Sequence, residues 1–284
     1  MTYTEPSEQP VPTSHGEVRV RLYPAQSPTG VALVWAHGGG FAYGDLDMPE
    51  ADWVARSLAE RGIAVASVDY ALSPEIDRFD PQPTSDKSAI RFPVASEQLS
   101  DVFEWFATHP DVLGASSLSL GGASAGGNLA TGAALRLVDQ GRPAPATLLL
   151  AYPVEHAVLP EPSSHLAALA VDLPPEARFL PDQVRVMNLN YVGDEALLGE
   201  RYAFPAGHDV AGLPPTFILN SDADDLRSSS EAFAADLTRA AVDVLVVREP
   251  GTIHGHLNTP EHPGAVRSIE RMAAWLRAEA LLGL

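Results

Sequence analysis

The run Gly122-Ala123-Ser124-Ala125-Gly126 fits G-x-S-x-G, a sharp turn between a strand and a helix that exposes a serine hydroxyl. A serine activated this way needs a base, an acid to orient the base, and donors for the negative charge that develops on the attacked carbonyl oxygen. The first glycine cluster that could supply those donors is His37-Gly38-Gly39-Gly40-Phe41. Consecutive glycines offer backbone N–H groups with no side chains over them, suited to an oxyanion or to a phosphate. The phosphate reading fails on detail: no Gly-Lys-Ser/Thr follows, and no G-x-G-x-x-G opens a helix. Candidate acids lie in Asn220-Ser221-Asp222-Ala223-Asp224-Asp225, and candidate bases in His254-Gly255-His256. His37 follows an early strand and is expected to brace its loop instead of acting as the base. A zinc site on His254 and His256 lacks a third ligand nearby.

The elements needed to position these residues are present. Short apolar runs alternate with amphipathic stretches, the pattern of a mostly parallel sheet covered on both faces. Strands are expected over residues 17–23, 31–36, 63–68, 118–120, 147–152, 216–219 and 242–247. Helices are expected over 48–61, 98–108, 125–140, 228–240 and 266–281, with Ser228 and Glu231 forming a capping box. The serine turn thus follows a strand and opens a helix. The aspartate and histidine loops both follow strands, where open α/β sheets place their sites. Residues 73–93, with Pro74, Pro81, Pro83 and Pro93, read as a long loop near the site. Residues 154–209, also rich in proline, read as a cap inserted between core strands of one domain spanning 1–284. Within the cap, 182–191 is the best helical stretch, and Val184, Met187 and Tyr191 are candidate pocket walls, together with Phe41.

Four ordered motifs resemble those of the hormone-sensitive-lipase-like carboxylesterases of the α/β-hydrolase fold: His37 to Phe41, Gly122 to Gly127, Asp224-Asp225-Leu226-Arg227 and His254-Gly255. The resemblance implies a serine carboxylesterase with Ser124 as nucleophile, His254 as base and Asp224 as acid. It also implies an oxyanion hole from the N–H groups of Gly39, Gly40 and Ala125, with no cofactor and no metal. Asp222 lies closer to its strand and competes with Asp224; Asp225 occupies a variable position and is expected to face solvent. The chain departs from the family at Ala123, where Asp is common, and at Ala71, where Arg is usual. It also has little sequence before Glu17 for the family's N-terminal helical segment, which the 73–93 loop is expected to replace.

Composition limits the partners. The 284 residues carry 18 Lys and Arg against 37 Asp and Glu, a formal charge of −19 that disfavours nucleic acid and anionic membranes. The chain contains no cysteine, and its polar first fifteen residues lack the apolar stretch of a signal peptide. A cytoplasmic protein acting on a small-molecule ester of short acyl chain is expected, and oligomeric state is not legible. The same residues would serve an amidase, peptidase or acyltransferase. A ligand-binding member of the fold would be expected to lack part of the Ser, Asp and His set.

Overall fold

The computed structural model describes residues 5–77 and 89–282. Residues 78–88 of the long loop expected over 73–93 lie outside the described residues. Strands β1 (Ser7–Thr13), β2 (Gly16–Tyr23), β3 (Val31–Ala36), β4 (Ile63–Val68), β5 (Ser117–Ala123), β6 (Leu148–Ala151), β7 (Thr216–Ala223) and β8 (Val244–Ile253) form one sheet in the order β1-β2-β4-β3-β5-β6-β7-β8. Pairing is antiparallel at β1–β2 and β2–β4 and parallel across the rest. Every residue of β3 and β4 is buried, which is why β3 reads as an unbroken apolar run and β4 as one interrupted only by Ser67: each has helices over both faces.

Alternation along β3 separates two cores. Leu33 and Trp35 face α1 (Asp52–Glu60) and α7 (Pro263–Leu282), joined there by Val54, Leu58, Ile269 and Met272. Val34 and Ala36 face α2 (Val94–Thr108), α3 (Ala125–Asp139) and α6 (Arg227–Arg239), joined by Leu99, Phe103, Leu129 and Phe233. Burying each such side chain is worth about 1.5–3 kcal/mol, so a shift of one residue in the β3 register would exchange the two sets and cost many of them.

Three elements differ from the sequence reading. Strand β1 falls in the polar first fifteen residues, where no strand was expected; it contains Pro10 and Pro12, which a strand accommodates at a sheet edge. Strand β8, expected to stop near Val247, runs through Pro250 and Gly251 to Ile253 for the same reason, since it forms the opposite edge. Helix α6 has no capping box: its N-cap is Leu226, the Ser228 hydroxyl donates to the carbonyl of Asp225, and Glu231 pairs with Arg227. Leu226, three per cent exposed, fixes the helix start by burial instead.

Between β6 and β7 lie α4 (Ser164–Ala170), α5 (Pro181–Val192) and single 3-10 turns. This is the segment expected to form a cap. No helix among the described residues is long and apolar enough to cross a membrane.

Just after β6, Glu155 is wholly buried on α3, its Oε1 2.9 Å from the Thr131 hydroxyl. That hydroxyl also lies 3.1 Å from the carbonyl of Gly127, and its one proton can serve only one of them. A protonated Glu155 donating to Thr131, with Thr131 donating to Gly127, satisfies both contacts. Burial raises the Glu155 pKa from 4.5 to about 8, which agrees with that arrangement. The folded state then holds a proton that the unfolded state releases, so this group's stability contribution is full below about pH 4.5 and is lost as pH rises through about 8. Glu155→Gln should remove that loss: between pH 5 and 8 its melting temperature should gain on wild type by at least ~2 °C. Thermal melts at stepped pH check it, and parallel curves would contradict it.

Candidate active site

Ser124 stands at the junction of β5 and α3 with φ 52° and ψ −119°, a conformation rare for any residue but glycine. The turn is tight because α3 begins against the end of β3: a Cβ on Gly126 would overlap the carbonyl oxygens of Ala36 and His37. The Ser124 N–H donates to Ala151 at 2.8 Å, and its carbonyl accepts from Gly127 and Asn128, which hold the strained residue in place. Ala125 is the first residue of α3, so its N–H has no partner within the helix.

The Ser124 hydroxyl lies 3.0 Å from His254 Nε2, and His254 Nδ1 lies 2.7 Å from Asp224 Oδ2. Asp224 is one per cent exposed, and its other oxygen accepts from the N–H of Leu226 at 2.9 Å. The two neighbouring aspartates are engaged elsewhere. Asp222 accepts from Arg248 and from the N–H of Gly251, both at 2.8 Å. Asp225 does not face solvent: it accepts from Arg178 and from the N–H of Phe179, tying the expected cap to this loop. The rings of Tyr152 and Phe179 meet His254 edge-on, with centroids 5.1 and 4.5 Å away.

Opposite, the glycine loop turns sharply, with positive φ at Gly39, Gly40 and Phe41. The Gly38 N–H donates to Glu50 at 2.6 Å, while those of Gly39 and Gly40 donate to nothing among the described residues. His37 is fully buried, with Nδ1 2.7 Å from the Gly38 carbonyl and its ring stacked on Tyr70. Burial lowers its pKa, so it is a neutral strut of the loop. His256 also points away from Ser124. Its nitrogens meet the hydroxyls of Ser221 (2.9 Å) and Ser268 (2.8 Å), so His254 and His256 do not converge on one point.

Ser124, His254, Gly39 and Gly40 open onto a cavity of about 580 Å³. Its walls are largely apolar: Phe41, Val154, Phe179, Val184, Met187 and Leu226 all contribute. Met187 of α5 lies over Gly40, where a Cβ would overlap its terminal methyl. Tyr191 does not reach the cavity. One helical turn beyond Met187, its ring is buried behind Phe41, parallel at 4.0 Å between centroids. Sequence reasoning missed Glu50, Tyr152, Asn258 and Phe179, which surround the site from four separate segments. Only the position of Tyr152, at the end of a core strand, gave any signal.

The chain matches the α/β-hydrolase fold family over residues 33–258. It is 31% identical over 248 residues to the carboxylesterase NlhH of Mycobacterium tuberculosis, covering 85% of this chain and 72% of that protein. It is likewise 31% identical over 243 residues to the ethyl acetate hydrolase of Pseudomonas putida, covering 83% and 70%. Among solved structures, the esterase of Pyrobaculum calidifontis superposes with a TM-score of 0.83 at 29% identity, over 98% of this chain and 86% of that one.

Burial, reinforced by His254 and His262, lowers the His256 pKa to about 3. His256 should therefore stay neutral throughout physiological pH. In a histidine NMR titration its ring signals should not move between pH 5 and 8. A midpoint near 6.5 would contradict the buried Ser221–His256–Ser268 arrangement.

Proposed function

The chain belongs to the α/β-hydrolase fold family, and from that premise we propose that it is a serine carboxylesterase acting on short-acyl esters dissolved in the cytoplasm. The observation that carries this reading is the hydrogen-bonded chain Ser124–His254–Asp224, with the serine hydroxyl open to an apolar cavity. In the proposed cycle, His254 Nε2 takes the Ser124 proton as Oγ attacks the ester carbonyl. Asp224 holds the Nδ1–H tautomer and stabilises the imidazolium that forms. The oxyanion accepts from the N–H groups of Gly39, Gly40 and Ala125. The tetrahedral intermediate collapses as His254 protonates the leaving alcohol, giving an acyl-Ser124 ester. Water, deprotonated by His254, then attacks the acyl carbonyl, and His254 returns that proton to Ser124 Oγ as the acid departs.

The segment 154–209 acts as the cap of this site. Its helix α5 supplies Val184 and Met187 to the cavity and is broken from its neighbours by Pro174, Pro175 and Pro181. The short-acyl reading is supported by a relative named ethyl acetate hydrolase.

Two outcomes are expected with p-nitrophenyl esters. Activity should peak between acetate and about hexanoate, and better turnover of long-chain triglyceride emulsions would overturn the short-acyl reading. Ser124→Ala should abolish nearly all turnover, and Asp224→Asn should lower kcat on the order of 10³-fold or more by releasing the His254 tautomer. Asp222→Asn should cost far less. Retained activity in Ser124→Ala would sink the mechanism, while reversed losses at Asp222 and Asp224 would reassign the acid.

A further inference from the structure

We infer that Glu50 is a positioning residue for the proposed ester hydrolysis: its buried carboxylate locks the glycine loop to the loop that carries His254. The inference rests on the reading of the site given above. Glu50 precedes α1, far from every motif, yet it is two per cent exposed and lies at the cavity wall. Its Oε2 accepts from the Gly38 N–H at 2.6 Å. Its Oε1 accepts from the Tyr152 hydroxyl at 2.6 Å and from Asn258 Nδ2 at 3.2 Å. The backbone of Glu50 is fixed as well, its N–H donating to Asn258 Oδ1 at 3.2 Å and its carbonyl accepting from the Trp35 indole at 2.9 Å.

These partners come from both halves of the site. Gly38 begins the glycine loop; Asn258 closes the 3-10 turn His256–Asn258, which starts two residues after His254. Tyr152 bridges them, since its ring meets His254 edge-on while its hydroxyl donates to Glu50. One side chain therefore sets the distance between the oxyanion donors and the base. Its bond to Gly38 also turns that N–H away from the cavity, and the next two peptides then present theirs to it. A shift of about 1 Å in such geometry can cost 10²-fold in rate.

The chemistry requires a carboxylate. Gly38 N–H and Asn258 Nδ2 can only donate, one to each oxygen, so both positions call for an acceptor and neither suits an amide NH₂. Glutamine would satisfy the Gly38 side or the Tyr152 and Asn258 side, and would turn donors against donors on the other. Aspartate keeps both oxygens on a stem shorter by one methylene.

The test is steady-state kinetics on p-nitrophenyl acetate for wild type, Glu50→Gln, Glu50→Asp and Tyr152→Phe, each first shown folded by circular dichroism and thermal melting. Glu50→Gln should lower kcat by ~10–100-fold with KM within about threefold of wild type, because transition-state geometry is lost while the apolar cavity is kept. Glu50→Asp should recover at least about fivefold of that loss. Tyr152→Phe, which removes one hydroxyl and keeps the ring, should lower kcat by ~3–10-fold at unchanged KM. Wild-type kcat in folded Glu50→Gln or Tyr152→Phe overturns the inference, as does a loss carried by KM. Should Glu50→Gln fail to fold, Tyr152→Phe alone decides. A wild-type protein inert toward esters would instead overturn the reading of the site.

Discussion

The backbone of α3 starts in direct contact with the end of β3, and little else in the site could be where it is without that contact. Gly122 and Gly126 have no Cβ, so the helix rests on the carbonyls of Ala36 and His37. The chain between them must reverse in a few residues, which forces Ser124 to φ 52°. A non-glycine residue held there costs on the order of 1–3 kcal/mol. Hydrogen bonds from Ser124 to Ala151 and from Gly127 and Asn128 to Ser124 oppose that strain. The same contact sets the hydroxyl beside the glycine loop: the space above Gly38 is bounded by the Ser124 Cβ itself, 3.1 Å from where a Cβ would sit. The positions of the Ser124 hydroxyl and of the glycine loop are consequences of one backbone crossing.

The polar groups around that crossing are sorted by the donors available to each. Three aspartates fall within four residues, Asp222 at the end of β7 and Asp224 and Asp225 just after it. Asp222 meets Arg248 and the Gly251 N–H on the β8 edge, and Asp225 meets Arg178 and the Phe179 N–H from the segment between β6 and β7. Asp224 turns inward, where Leu226 N–H and His254 Nδ1 are its hydrogen-bond partners. A buried carboxylate is costly without donors, so each partner set excludes the other two aspartates from its place. His37 and His256 are excluded from the Ser124 hydroxyl by the same rule, each held by partners of its own.

What the sequence made legible follows from range. Apolar runs gave β3, β4 and β6 because burial on both faces leaves a purely local signature. The loops carrying Ser124, Asp224 and His254 were legible because a strand end is a local event. Pairing at sheet edges was not: β1 and the outer half of β8 contain prolines that would exclude a central strand, and only neighbours decide which strand is an edge. The start of α6 was misread because Ser228 and Glu231 look like a capping box, yet Arg227 claims Glu231 and the burial of Leu226 sets the boundary. Tyr191 was placed on the pocket by helical spacing from Met187, which cannot tell a cavity wall from the layer behind it. Glu50 carried no signal at all, since its partners lie at Gly38, Tyr152 and Asn258.

Polar anchors and apolar walls take different positions in the segment between β6 and β7. Asn188 donates to the carbonyls of His156 and Ala157, Asn190 donates to that of Pro74, and Arg178 pairs with Asp225. These contacts fix the axis of α5 and the approach of Phe179 to His254. The cavity surface between them is apolar and comes from Val184 and Met187 on the same helix. Anchors and wall therefore occupy different positions of one helix, and the wall side chains hold no hydrogen bond that the reacting residues need. A change of volume at Val184 alters the space for substrate while Ser124, His254 and Asp224 keep their partners. Met187 is the exception, because it lies on Gly40: a bulkier or branched residue there presses on the glycine loop. Cavity shape and loop geometry are separable at the first position and coupled at the second.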